Sequence, residues 1–165
     1  MNRRCISLSK RPGGNRVVEL REITPENFEA VMVLRVTETQ KPFVSSVETA
    51  LAKAWVYRNT AFPFAVYADN APVGFIMLGY YAEKKQYTVW EFLIDEKFQK
   101  CGYGRQALQL GINWLRQRFG VNEVFLGCKH ENTAAEKLYA SAGFQRTGFE
   151  TETGFEMRLC LSESK

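Results

Sequence analysis

Histidine is almost missing from this 165-residue sequence, which carries only His130. A histidine-rich metal centre is excluded, and a Ser–His or Cys–His relay would hang on that one residue with no G-x-S-x-G elbow to accompany it. The four cysteines, Cys5, Cys101, Cys128 and Cys160, lie far apart without a C-x-x-C pair. That spacing suggests neither a thiolate zinc site nor a dense disulfide framework, and it reads as reduced thiols in a cytoplasm. No apolar run approaches the roughly 20 residues of a spanning helix. The most apolar stretch, 71–82, is broken by Pro72, Gly74 and Gly79. A Walker loop is absent as well. Resident metals, membrane spans and P-loop nucleotide hydrolysis thus drop out first.

What is present fits one compact domain: 45% hydrophobic, 24% charged and 13% aromatic residues exclude disorder over most of the chain. The net charge of +4 hints at nucleic acid until it is divided along the chain. Residues 1–16 hold Arg3, Arg4, Lys10, Arg11 and Arg16 with no acid, which leaves 17 basic residues against 18 acidic ones in the rest. The expected organisation is a flexible basic leader over 1–16 and one near-neutral domain over 17–165. No nucleic-acid or membrane partner is expected of that domain.

From Val17 onward the pattern becomes regular. Val17 to Arg21 reads as a strand, Thr24-Pro25-Glu26 as a helix start, and Ser45 with Glu48 three residues on as a capping box for a second helix. Phe64 to Tyr67 and Val73 to Tyr80 flank turn residues Asp69-Asn70 and predict a hairpin, followed by a strand from Tyr87 to Ile94. Leu108, Ile112, Leu115 and Phe119 mark a long helix ending at Gly120. Val124 to Gly127, Asn132 to Ala142, and the pair Phe144 to Phe149 with Phe155 to Leu161 supply a strand, a helix and a last hairpin. This is a single-sheet mixed α/β (α+β) layer.

The most informative segment, Gln99-Lys100-Cys101-Gly102-Tyr103-Gly104-Arg105, joins a strand to a helix. Free amides at a helix start bind phosphate oxygens, and glycine lets the ligand approach. Residues 102–107 also satisfy G-x-G-x-x-A, with Glu123 about 20 residues on, as in dinucleotide-binding folds. Context rejects that match, because a polar loop separates the glycines from the strand and Glu123 begins the next strand instead of ending it.

Gln99 to Gly104 resembles the Q/R-x-x-G-x-G/A motif of the GNAT superfamily of N-acetyltransferases. Asn132-Thr133-Ala134-Ala135-Glu136-Lys137-Leu138-Tyr139, followed by Gly143-Phe144, resembles its second signature. Residues 20–27, 72–77 and 94–99 are further similar to bacterial spermine/spermidine (diamine) N-acetyltransferases. The resemblance implies a mixed, mostly antiparallel seven-stranded sheet flanked by four helices and splayed at the cofactor-binding strand. It also implies acetyl-CoA as co-substrate, no metal, and a diamine or polyamine acceptor attacked directly in a ternary complex. Alternatives within enzymes are a protein N-terminus, an amino-sugar drug or an amino acid; outside them stands an acyl-CoA-binding regulator. Family members often dimerise, and nothing in this sequence specifies an interface.

By the same resemblance the diphosphate lies on Gln99, Lys100, Cys101, Gly102, Tyr103, Gly104 and Arg105, and the pantetheine arm pairs with Phe92, Leu93 and Ile94. Asn132, Ala135 and Lys137 add contacts on the following helix, and Tyr139 protonates the leaving thiolate. An alkylammonium, with a pKa of about 10.4, must lose a proton before it attacks; Glu91 is the carboxylate nearest the reaction strand, and His130, just before Asn132, is the other candidate acceptor. A polyamine would need carboxylates and aromatic faces, for which Glu29, Glu38, Glu83 and Glu152, and Tyr80, Tyr81 and Trp90, are the candidates.

Overall fold

The computed structural model describes residues 17–161. The basic leader over 1–16 lies outside the described residues. Strand β1 (Val18–Glu22) leads into a short α1 (Phe28–Met32), a 3-10 turn (Lys41–Phe43) and α2 (Val47–Val56). Then come β2 (Ala61–Ala68), β3 (Ala71–Tyr81), β4 (Gln86–Ile94), α3 (Tyr103–Phe119), β5 (Glu123–Lys129), α4 (Thr133–Ser141), β6 (Gln145–Glu150) and β7 (Gly154–Cys160). Seven strands form one sheet in the order β1-β2-β3-β4-β5-β7-β6, all antiparallel except β4 with β5. The expected sheet and its four helices are therefore present.

Local chemistry explains most of the boundaries. Asp69 and Asn70 both take positive φ, 48° and 69°, which builds the mirror-image turn that matches strand twist between β2 and β3. Gly120 (φ 66°) ends α3 in a left-handed cap, its N–H bonding Arg116 O at 2.8 Å. The start of α2 departs from expectation. Ser46, not Ser45, is the cap, its Oγ accepting from Thr49 N at 3.3 Å, so Ser45 is released for another task. Phe28 on α1 is 44% exposed, because that helix is too short to bury more than Val31.

β3 is buried on both faces, and its alternation sorts the core into two layers. Ile76 and Leu78 pack with Leu108, Ile112, Leu115 and Tyr139 beneath α3 and α4. Phe75 and Met77 pack with Val31, Val47 and Ala50 beneath α1 and α2.

Two irregularities of β4 position the site. Met77 faces Glu91 and Leu78 faces Val89, so Trp90 is the extra residue of a β-bulge. The bulge turns Trp90 and Glu91 toward the same side, that of α2. The parallel pairing of β4 to β5 also holds at only two positions, Thr88 with Phe125 and Val89 with Leu126. Beyond Val89 the two strands part.

Gly79 makes room for the bulge: a Cβ there would stand 2.3–2.4 Å from the Trp90 indole. Gly79→Ala is expected to lower stability by about 1–3 kcal/mol in urea titrations, as overpacking does. Gly127→Ala, where a Cβ meets nothing within 4 Å, should stay within about 0.5 kcal/mol of the parent.

Candidate active site

The parting of β4 from β5 opens a cavity of about 1000 Å³ that runs from the loop before α3 to the ends of the β3–β4 and β6–β7 hairpins. At the first end, Lys100 (φ 61°) and Gly102 (φ 81°) bend the chain into α3, and the first turn of that helix, residues 103–105, lines the opening. The amides of that turn have no partner within the helix. A Cβ at Gly102 would meet nothing within 4 Å, and one at Gly104 only ordinary contacts from 3.5 Å outward. Tyr103 is buried in the core and anchors the turn. Gln99 fixes the loop, its Nε2 donating to Ile94 O at 2.9 Å and to Gln40 Oε1 at 2.8 Å. Arg105 reaches across to α4, donating to Ser141 O at 2.9 Å. A fixed bend, open amides and the charges of Lys100 and Arg105 suit a diphosphate.

The same strand offers a backbone edge. Asp95 N donates to Val73 O of β3, so alternation turns Leu93 toward β3 and Phe92 and Ile94 toward the gap. With Ile94 O taken by Gln99, the Ile94 N–H and both polar groups of Phe92 point where β5 would have paired had the strands stayed together.

Glu91 stands on the α2 side, its side chain 11% exposed. Ser45, freed from capping, donates to it through Oγ at 3.0 Å and through its backbone N at 3.4 Å. Lys53 Nζ lies 3.5 Å from Glu91 Oε1 and 5.5 Å from the centre of the Trp90 ring. Across the gap, Tyr139 lines the cavity, and no described residue bonds its hydroxyl. Burial raises the affinity of this phenol for its proton, with Cys128 and Glu91 adding to the effect. Burial pushes the Cys128 thiol up to about 11, helped by Glu136. Both groups are neutral at pH 7.

The cavity gathers Trp90, Glu91, Phe92, Leu93, Ile94, Gln99, Lys100, Gly102, Tyr103, Gly104, Arg105, Asn132, Ala135 and Tyr139. Asn132 also caps α4, its Oδ1 accepting from Ala135 N at 3.3 Å. Lys137 is exposed on α4 and does not line the cavity, and Cys101 sits in the loop just outside the lining. Cys101 is disulfide-bonded, which corrects the expectation of four reduced thiols; Cys128 and Cys160 are free. The structure does not bring Glu29, Glu38 or Glu83 to the cavity: all three are exposed, and Glu38 pairs with Lys41 at 2.5 Å. His130 is turned to Thr151 O, 2.9 Å away. Lys84, Lys129 and Glu156 were not singled out from the sequence, because each comes to the cavity from a separate element and carries no motif, and Ser45 stood out only as a helix cap.

Comparison with known proteins agrees with this geometry. The family model described as Acetyltransferase (GNAT) family matches residues 17–144. A spermine/spermidine N(1)-acetyltransferase of Bacillus subtilis is 30% identical over 139 residues, covering 79% of this chain and 90% of its own. Among solved structures, a ribosomal-protein-S18-alanine N-acetyltransferase from Escherichia coli aligns with a TM-score of 0.65 at 19% identity, over 90% of this chain and 97% of its own. A Bacillus subtilis acetyltransferase in complex with CoA aligns at 0.62 and 16%, over 90% of this chain and all of its own. The chain belongs to the GNAT acetyltransferase family and is an acetyl-CoA-dependent N-acetyltransferase that acts on amines. Among the described residues no cluster could hold a metal and no helix is long and apolar enough to cross a membrane.

The two raised groups make stability depend on pH. Each holds its proton more tightly in the folded chain, so stability falls once pH passes the ordinary value, 9.0 for the Cys128 thiol and 10.0 for the Tyr139 phenol; the thiol's part is lost as pH climbs through about 11, and the phenol's loss continues above that. The urea midpoint is expected to fall across that interval, and Tyr139→Phe or Cys128→Ser should each flatten the fall.

Proposed function

We propose that the amine attacks the acetyl donor directly within a ternary complex, with Tyr139 as proton donor, Glu91 as proton acceptor and the Ile94 N–H polarising the carbonyl. Acetyl-CoA supplies an acetyl group already activated as a thioester. The loop from Gln99 to Arg105 holds its diphosphate, and the free edge at Phe92 to Ile94 orients its arm, with Asn132 and Ala135 lining the opposite wall and Lys137 beside them on α4. An alkylamine arrives protonated, since its pKa of about 10.4 lies well above neutrality. Glu91, held from behind by Ser45 and Lys53, takes that proton at its carboxylate. Tyr139 stays a neutral phenol because its site is dry, and it keeps a proton at Oη for the departing thiolate. Nucleophilic relay through Cys128 is disfavoured, because a thiol pushed up to about 11 supplies almost no thiolate at neutral pH.

The observation that carries this reading is the parted pair β4 and β5, with Glu91 and Tyr139 on its two sides and the open amides at its end.

Diamines and polyamines such as spermidine and spermine are the first acceptor class, supported by the name of the Bacillus subtilis relative and by the Trp90 and Tyr81 faces in the cavity wall. An amine on a protein N-terminus is the second. It is favoured by the cavity's charge, since Lys41, Lys84 and Lys129 line it while Glu29, Glu38 and Glu83 do not.

Thiol release from acetyl-CoA over a panel of amines tests the reading, and no release with any amine would sink it. Tyr139→Phe is expected to lower kcat about a hundredfold with CoA affinity unchanged by calorimetry. Glu91→Gln should lower kcat similarly at pH 7 and recover part of it as pH approaches the pKa of the amine, where free base no longer needs an acceptor for its proton. An equal loss at every pH would remove Glu91 from the proton path.

A further inference from the structure

The acceptor half of the cavity is bounded by the 3-10 turn, the β3–β4 hairpin and the β6–β7 turn, and its charges are nearly all matched. Glu91 pairs with Lys53 at 3.5 Å, Glu156 with Lys84 at 3.1 Å, and Lys41 with Glu38. Lys129 is the exception. It stands at the end of β5, lines the cavity, and has no carboxylate partner among the described residues. Its Nζ crosses to the opposite wall and donates to the main-chain carbonyl oxygen of Pro42.

We propose that Lys129 is a specificity-determining residue that reads an oxygen on the acceptor, so that the preferred substrate carries its amine beside a carbonyl or carboxylate, as an amino-acyl group does. The inference rests on the amine-acetyltransferase reading and, between its two acceptor classes, takes the amino-acyl amine over the polyamine. The contact already made is an ammonium on a peptide carbonyl, and an amino-acyl acceptor offers an equivalent oxygen to the same donor. A charge-assisted bond of this kind is stronger than a neutral one. A plain alkylamine has no oxygen to give. A polyamine brings further ammonium groups into a space where both lining carboxylates already hold a lysine, and Lys129 repels them with no anion to offset it.

The test compares four acceptors under saturating acetyl-CoA: alanyl-glycyl-glycinamide, alanine, hexylamine and spermidine. The parent enzyme is expected to give its highest kcat/KM with one of the first two, and the choice between them separates a peptide source from a free amino acid. Lys129→Met should lower kcat/KM for that acceptor about tenfold, mainly through KM. Hexylamine should be unaffected and spermidine unaffected or improved. Lys129→Arg, which keeps the donor, should restore most of the loss. Equal losses for all four acceptors would assign Lys129 a structural role and overturn the proposal. So would a parent enzyme that turns over spermidine or hexylamine faster than both oxygen-bearing acceptors, and that result would leave amine acetylation itself intact. Turnover of none, with CoA still bound, would remove the underlying reading and this inference with it.

Discussion

The whole site depends on a sheet that is left unfinished. β4 and β5 are parallel neighbours joined at two positions, and every backbone group beyond Val89 on that edge must find another partner, since a buried unpaired amide or carbonyl is costly. The chain satisfies one of them itself, through Gln99 on Ile94 O. The others line a cavity, so the gap is a standing demand for an extended ligand that can bond like a strand. Such a gap persists because its two flanks are held independently. β4 is pinned along its length by β3, and β5 by β7 across seven register positions.

The bulge at Trp90 and the gap are complementary devices. An ordinary strand would send Trp90 and Glu91 to opposite faces of the sheet. The extra residue puts both on the α2 side, and the glycine at position 79 lets the indole lie flat against the neighbouring strand. Trp90 Nε1 is buried there without a hydrogen-bond partner, a cost the fold tolerates to keep an aromatic wall beside the carboxylate. One irregularity thus opens the sheet, and the other turns Trp90 and Glu91 toward the opening's α2 side.

Most of the architecture was legible because it rests on local chemistry. The Asp69-Asn70 turn, the Gly120 stop and the 3.6-residue stripe of α3 are each contained in a short window of sequence. The loop from Gln99 to Arg105 was legible for the same reason, since its bend and its charge are contiguous. The acceptor half was not. Its walls come from five separate elements, and a carboxylate's distance from the cavity is set by tertiary packing, which composition does not encode. Glu38 looked available by type, yet it lies on the surface with Lys41. Glu156 went unnoticed in a strand, although β7 delivers it to the cavity beside Lys84. Ser45 shows how a local rule is overridden: the pattern for a helix cap fits it, but Ser46 takes the cap and Ser45 turns to Glu91, a partner 46 residues away.

Burial gives the two walls of the gap opposite electrostatic characters. On the α4 side, Tyr139 and Cys128 are desolvated, and dry surroundings penalise their ionised forms, so both remain neutral donors. On the α2 side, Glu91 is half-buried, Ser45 donates to it, and the Lys53 ammonium stands 3.5 Å away, so its carboxylate has the polar partners that Tyr139 and Cys128 lack. In the mechanism we propose, a proton leaving an amine between them would meet an acceptor on one side, and the departing sulfur a donor on the other. The two walls thus differ in which of them carries hydrogen-bond donors, and the bulge contributes to that difference, because the extra residue lets Trp90 and Glu91 share the side of Ser45 and Lys53.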